Sequence, residues 1–209
     1  MQVAVLGLGR FGTQLVRTLA DRGHEVLAVD SNDFEVSQVA SVAAKAAIAD
    51  IRDEDALREL SLGEVDVAIV ATAVLEASVL ATMNLQALGV PAVYCKARSE
   101  RHATILRRLG AEGVVQPEKE GGERFAHLLR VRGARDYLPL TPTYGIGTYA
   151  PPGRLTGMAL SEVAESGTRR LLMVVRGDEV QLNPVRSQPI EATDLLVFAG
   201  SDEDLAHEL

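Results

Sequence analysis

Short apolar runs alternate with longer amphipathic stretches through the first 133 residues of the chain. The runs 2–7, 25–30, 45–49, 66–71, 91–96 and 113–116 are rich in Val, Ile and Ala and show little polar alternation. Strands buried on both faces have that pattern, as in a parallel sheet covered by helices. Helical periodicity fills the gaps, near 10–22, 33–43, 53–61, 75–88, 99–109 and 118–132. Gly23, Gly89 and Gly110 follow three of these stretches, where a left-handed terminating residue favours glycine. Ser99 and Pro117 stand where an N-cap and a helix-initiating proline are expected. Six strand–helix units in series predict an α/β fold, a Rossmann-like doubly wound parallel sheet with right-handed crossovers.

The pattern then changes. Six of the eight prolines follow residue 138, and 138–143 reads as a hinge or linker. Beyond it, 144–150, 169–175, 179–182 and 194–199 read as strands, with short helices near 159–165 and 202–209. The expected organisation is a Rossmann-like domain over 1–137 and a small C-terminal α+β lobe over 138–209. The smaller lobe carries 5 basic and 10 acidic side chains, the larger 16 and 19.

Composition narrows the function. A net charge of −8 and a pI near 5.1 argue against nucleic-acid binding through a basic surface. No apolar run approaches the roughly 20 residues of a membrane-spanning helix. No basic segment precedes the first strand, so no signal peptide is expected and the cytosol is the expected compartment. The single cysteine, Cys95, lies in an apolar run and reads as a buried thiol.

The sharpest motif is Gly7-Leu8-Gly9-Arg10-Phe11-Gly12, between an apolar strand and a helix. A second strand ends in Asp30, 23 residues after Gly7. This is the arrangement of a dinucleotide-binding βαβ unit. Gly7 permits the tight turn, Gly9 lets a pyrophosphate approach the backbone, and Gly12 lets the helix pack on the strand. The helix start offers free N–H groups to phosphate. Asp30 would accept hydrogen bonds from ribose hydroxyls and repel a 2′-phosphate, disfavouring NADP.

Other candidates are less determined. Arg10 is a cation at the positive end of a helix, a placement that is mildly unfavourable unless an anion sits between. Asp50 could reach an adenine or its ribose, and could equally cap the helix starting near Asp53. Lys96, ending the fifth strand, could contact phosphate or pair with an acid of the protein. Glu118 compensates a helix dipole, yet also places a carboxylate at the ligand-binding edge of the sheet.

At these residues the chain resembles the regulator-of-potassium-conductance (RCK, or KTN) family, the gating subunits of Trk and Ktr potassium uptake systems. The resemblance runs through Val5–Gly12, Gly23–Asp30, Lys96-Ala97, Gly110-Ala111, Gln116-Pro117-Glu118-Lys119 and the segment 155–162, which is similar to the entry of a TrkA-C lobe. It implies a nucleotide-binding N-lobe and a regulatory C-lobe. The ligand, ATP/ADP or NAD/NADH, acts as an effector. Gly7, Gly9, Phe11 and Gly12 fall in the phosphate loop, Asp30 is the ribose acid, and Arg10 reaches the γ-phosphate. Glu118 helps hold a cation (Mg2+, Ca2+ or Na+) beside it. Asp50 matches a Gly-Asp motif whose glycine is here Ala49. The resemblance further implies dimers, an octameric ring and a membrane-embedded potassium channel or transporter as partner, with the chain cytoplasmic at the inner face of the membrane. In some members the C-lobe binds cyclic di-AMP, and the match around Asn183-Pro184 is loose.

An NAD-dependent oxidoreductase with a small substrate lobe is the alternative. His24 opens the second strand and reads as structural, His207 lies near the end of the chain, and His102 and His127 lie on predicted helices without an obvious acid partner or metal-ligand spacing. No basic helix-turn-helix is evident, which argues against a redox-sensing repressor.

Overall fold

The computed structural model describes residues 1–163 and 167–207. The chain divides into two compact units, Met1–Glu118 and Lys119–Leu209.

In the first unit, β1 (Gln2–Leu6), β2 (Glu25–Asp30), β3 (Lys45–Ile48), β4 (Val67–Val70), β5 (Ala92–Lys96) and β6 (Gly113–Val115) form one sheet. Its order is β3-β2-β1-β4-β5-β6, and every pairing is parallel. The order reverses between β1 and β4, the place where doubly wound sheets bind ligands. The helices are α1 (Arg10–Asp21), α2 (Asp33–Ser37), α3 (Glu54–Glu59), α4 (Leu75–Ala87) and α5 (Glu100–Arg108). One core joins Leu6, Val29, Val70 and Leu85, and a second joins Val3, Val5, Val16 and Val26. The sheet is thus buried on both sides, which explains the absence of polar alternation in its strands.

Local signals account for the helix limits. Gly23, at φ +80°, stops α1, and the His24 N–H donates back to the Leu19 carbonyl at 3.0 Å. Asp53 caps α3, accepting from the amides of Asp55 and Ala56, and Ser99 caps α5. The helix expected over 33–43 forms only as α2, continued by turns. Past Ser37, the run Gln38-Val39-Ala40-Ser41-Val42 contains two β-branched residues and a serine, which favour helix weakly.

His102 is buried in α5, and its Nε2 lies 2.7 Å from Ser78 Oγ of α4. Burial, with the nearby Arg98 charge, pushes its pKa below the ordinary value. The unfolded chain therefore takes up this proton first, from about pH 6.5 downward. Stability from a neutral His102 is complete above that pH and is lost as pH falls below it. We expect the melting temperature to decline between pH 7 and 5, and a His102→Asn variant to lose part of that decline in thermal scans at several pH values.

The second unit contains β7 (Ala134–Pro139), β8 (Tyr144–Tyr149), β9 (Arg170–Arg176), β10 (Glu179–Leu182) and β11 (Leu195–Ser201), with α7 (Asp202–Leu205). Their sheet is antiparallel, in the order β10-β9-β11-β8-β7. The segment expected as a linker over 138–143 instead starts inside β7, so the expected 137/138 boundary falls within a strand. Pro139 is tolerated there because β7 is an edge strand and Pro139 is its last residue. The helix expected over 159–165 is a 3₁₀ turn, Leu160–Glu162, with 164 and 165 outside the described residues. That expected over 202–209 is α7, with 208 and 209 outside them.

Helix α6 (Pro117–Arg130) starts at the boundary of the two units. Late in it, His127 stacks on Tyr137, and both side chains meet the buried Asp202. Among the described residues, no helix is long and apolar enough to cross a membrane.

Candidate functional site

A cavity of about 820 Å³ opens along the carboxyl edge of the parallel sheet, within the first unit. Each strand delivers residues to it in the order of the sheet. Asp50, Ile51 and Arg52 follow β3, while Asp30 and Ser31 come from the end of β2. The glycine loop follows β1, and Thr72 to Val74 follow β4. Lys96 ends β5, and Pro117 and Glu118 follow β6.

The three glycines have three different reasons. Gly7 has φ +96°, and an added Cβ would lie 3.0 Å from the Thr72 amide nitrogen. Gly12 is buried behind the loop and does not line the cavity; its Cβ would lie 1.9 Å from the Gly7 carbonyl oxygen. Gly9 is required by neither conformation nor packing. Its φ is −61°, and an added Cβ would meet no protein atom within 4 Å. What a side chain at Gly9 would fill is the cavity itself. Helix α1 begins there with no side-chain cap and no acid in its first turn. Its first N–H groups and positive dipole end are left for an anion.

Asp30 ties the loop to β2. Its Oδ2 accepts from the Leu8 N–H at 2.7 Å and its Oδ1 from the Asn32 N–H at 2.9 Å. A carboxylate offers about four acceptor positions, so each oxygen keeps capacity for a hydroxyl. Asp50 does not cap α3, a role taken by Asp53. It binds Arg52 instead, and that guanidinium holds its carboxyl down to about 2.

At the other end, Lys96 Nζ lies 2.7 Å from Glu118 Oε1 and 5.6 Å from the centroid of the Phe11 ring. The Lys96 side chain is only 12% exposed, whereas that of Glu118 is 69% exposed. The lysine is therefore the fixed partner. It holds the Glu118 carboxyl below the usual carboxylate range, with a smaller contribution from Arg10. Of the two readings of Lys96, the structure contains the ion pair. Arg10 is exposed at the start of α1, and its side chain makes no hydrogen bond or ion pair among the described residues. Among those residues no cluster of three His, Cys, Asp or Glu side chains could hold a metal ion. A cation at Glu118 would thus need ligand oxygens as well.

Gly7, Gly9, Arg10, Phe11, Asp30, Asp50, Lys96 and Glu118 all line this one cavity. Sequence reasoning missed Arg52 and the Thr72–Val74 segment. The place of β4 beside β1 is the signal that exposes the second.

The TrkA-N domain profile matches residues 3–117. Ktr system potassium uptake protein C of Bacillus subtilis (strain 168) is 34% identical over 209 residues, covering 98% of this chain and 94% of the relative. The chain belongs to this family of Ktr-system TrkA-N proteins. The RCK domain of GsuK has a TM-score of 0.66 at 19% identity; the match covers 98% of this chain and 46% of that one. A GsuK channel bound to NAD gives 0.62 at 18%, covering 98% and 38%. This chain therefore spans less than half of each GsuK chain, and the likeness to them is one of fold. The TrkA-N match contains every residue lining the cavity except Glu118.

Proposed function

We propose that this chain is the regulatory subunit of a potassium uptake system. It binds ATP/ADP or NAD(H) as an effector, catalyses no reaction, and couples the bound state to a potassium channel or transporter in the membrane. The observation that carries the proposal is the row of groups along the sheet edge. An uncapped α1 that starts at Arg10 is offered to phosphate, Asp30 stands one strand away toward β2, and the pair Lys96 and Glu118 stands on the β5–β6 side. The family name of the Bacillus subtilis relative and the NAD in the GsuK channel support the class of partner and the class of ligand.

In this proposal the chain works at the inner face of the membrane as a homo-oligomer, a dimer and then an octameric ring. Moving a gate from 1:99 to 99:1 takes about 5.5 kcal/mol of differential binding. Divided over eight sites this is ~0.7 kcal/mol each, an affinity ratio of roughly three per site. The exposed guanidinium of Arg10 is placed to supply it by meeting a γ-phosphate that ADP lacks. A cation held between Glu118 and that phosphate would draw the carboxylate away from Lys96.

Calorimetry with ATP, ADP, NAD and NADH tests the proposal directly. Binding of at least one pair, with a difference between its members, is expected; no binding of any of the four overturns it. Arg10→Ala should bring the ATP/ADP affinity ratio toward one with little change for ADP, measured in the same titrations.

A further inference from the structure

Behind the cavity, His102 belongs to a chain of buried hydrogen bonds to which the effector reading gives no part. The residue is 5% exposed, and its neighbour Ser78 is fully buried. Nδ1 of the ring accepts from the Arg98 N–H at 3.4 Å. That donor sets the tautomer, because a neutral ring that accepts at Nδ1 carries its proton on Nε2. Nε2–H donates to Ser78 Oγ at 2.7 Å, and the Ser78 hydroxyl donates onward to the Leu75 carbonyl at 3.0 Å. A serine that accepts from the ring is not activated by it, so this pair is no nucleophile with its base.

The two ends of the chain give it a role. Leu75 opens α4 and directly follows Thr72, Ala73 and Val74, which line the cavity. Arg98 stands two residues after Lys96, which lines the cavity from the end of β5. His102 lines no part of the cavity, yet it ties together the loops that follow β4 and β5.

A proton taken from water onto Nδ1 breaks one end. The ring becomes a donor at both nitrogens, and Nδ1–H then faces the Arg98 N–H, a second donor. The surroundings do not compensate. From α4 the ring meets the Ser78 hydroxyl, and on its other side stands the like charge of Arg98. Glu76 of α4 acts on Arg52, and Glu100 of α5 is bound to Arg107 and Gln116. Arg101 of α5 is exposed. Cys95 of β5 faces Thr82, Lys96 pairs with Glu118, and β6 contains no titratable residue.

We propose that His102 is a positioning residue of the effector site and its proton-sensitive element. Neutral, it holds the loops after β4 and β5 in the shape that binds nucleotide; protonated, it releases the β5–α5 loop and weakens binding. The inference rests on the nucleotide reading above. By linkage, nucleotide and proton oppose each other to the same extent.

Calorimetry with NAD and ADP from about pH 7.5 to about pH 5 tests this on the parent, His102→Asn and His102→Gln. Asparagine can still accept from Arg98, glutamine can still donate to Ser78, and neither takes up a proton. The phosphates of ADP titrate in this range. The quantity read is therefore the ratio of parent to variant affinity at each pH, in which the titration of the ligand cancels. That ratio should fall by about fivefold as pH falls, the contribution of one hydrogen bond. A ratio constant with pH overturns the inference. A rising ratio overturns it too, since the negative charge of the ligand would then govern His102. NMR titration of the His102 ring in the parent reads the same linkage without a variant. Saturating nucleotide should lower its midpoint, and an unchanged or raised midpoint overturns the proposal. If nucleotide binds with a constant ratio, this inference falls and the effector-site proposal stands. If the parent binds no nucleotide, both fall.

Discussion

Gly12→Ala is expected to destabilise the first unit by about 3 kcal/mol, the upper end for an overpacked site, and to abolish nucleotide binding. The new Cβ would sit 1.9 Å from the Gly7 carbonyl oxygen, 3.0 Å from the Gly7 carbonyl carbon and 3.3 Å from Ala71 Cβ. Two of those three atoms are backbone, and no rotamer change relieves them. Helix α1 would have to move off β1 and β4, taking with it the N–H groups that open onto the cavity. At 2–4 °C per kcal/mol for a chain of this size, the melting temperature should drop by roughly 6–12 °C. Gly9→Ala is the control. Its Cβ meets no protein atom within 4 Å and its φ suits any residue, so stability should stay within about 0.5 kcal/mol of the parent. Phosphate would meet the new methyl group, so affinity should still fall. Thermal scans beside calorimetry separate the two effects. Equal melting temperatures for Gly12→Ala and Gly9→Ala would show that the helix does not pack as described.

The parallel sheet was legible because burial on both faces leaves its mark in the central strands: β1 and β2 contain no polar residue between their ends. The same reasoning failed where an element has little burial to show. Strand β7 reads Ala134-Arg135-Asp136-Tyr137-Leu138-Pro139, and only Tyr137 is buried. Its charged residues and terminal proline look like a linker, and only pairing with β8 makes it a strand. Helix α2 was overextended because Val36 and Val39 are both buried at helical spacing, although the second lies in a turn. In the cavity, the positions of the glycine loop and Asp30 were legible because they are set within one βαβ unit. The ion pair of Lys96 with Glu118 joins residues 22 apart and arises only from the adjacency of β5 and β6. Arg52 carried no signal at all, since an arginine among Asp50, Asp53, Glu54 and Asp55 reads as solvated charge. What singles it out is its fork onto Asp50, a property of side-chain geometry.

Asp30→Ala should weaken ATP, ADP and NAD together, by about 10- to 100-fold, because all three share the ribose that the proposed function sets against this carboxylate. A hydrogen bond to a charged group contributes roughly 1.5–3 kcal/mol, and a ribose can make two to the free capacity of Asp30. The substitution also removes the acceptor for the Leu8 N–H at 2.7 Å, in the loop that shapes the phosphate end. Part of the loss is therefore indirect, and Asp30→Asn separates the parts. The amide oxygen can still accept from Leu8, so the loop keeps its shape. The amide nitrogen then stands where Oδ1 accepted from the Asn32 N–H at 2.9 Å, and two donors face each other. Affinity for ADP should fall less than in Asp30→Ala. The charge that repels a 2′-phosphate is gone, so NADP should lose much less affinity than NAD, or gain. Calorimetry with NAD and NADP on the three proteins reads this as a ratio, which a general loss of folding does not move. A NAD/NADP ratio unchanged in Asp30→Asn would remove Asp30 from the ribose and leave it only the loop.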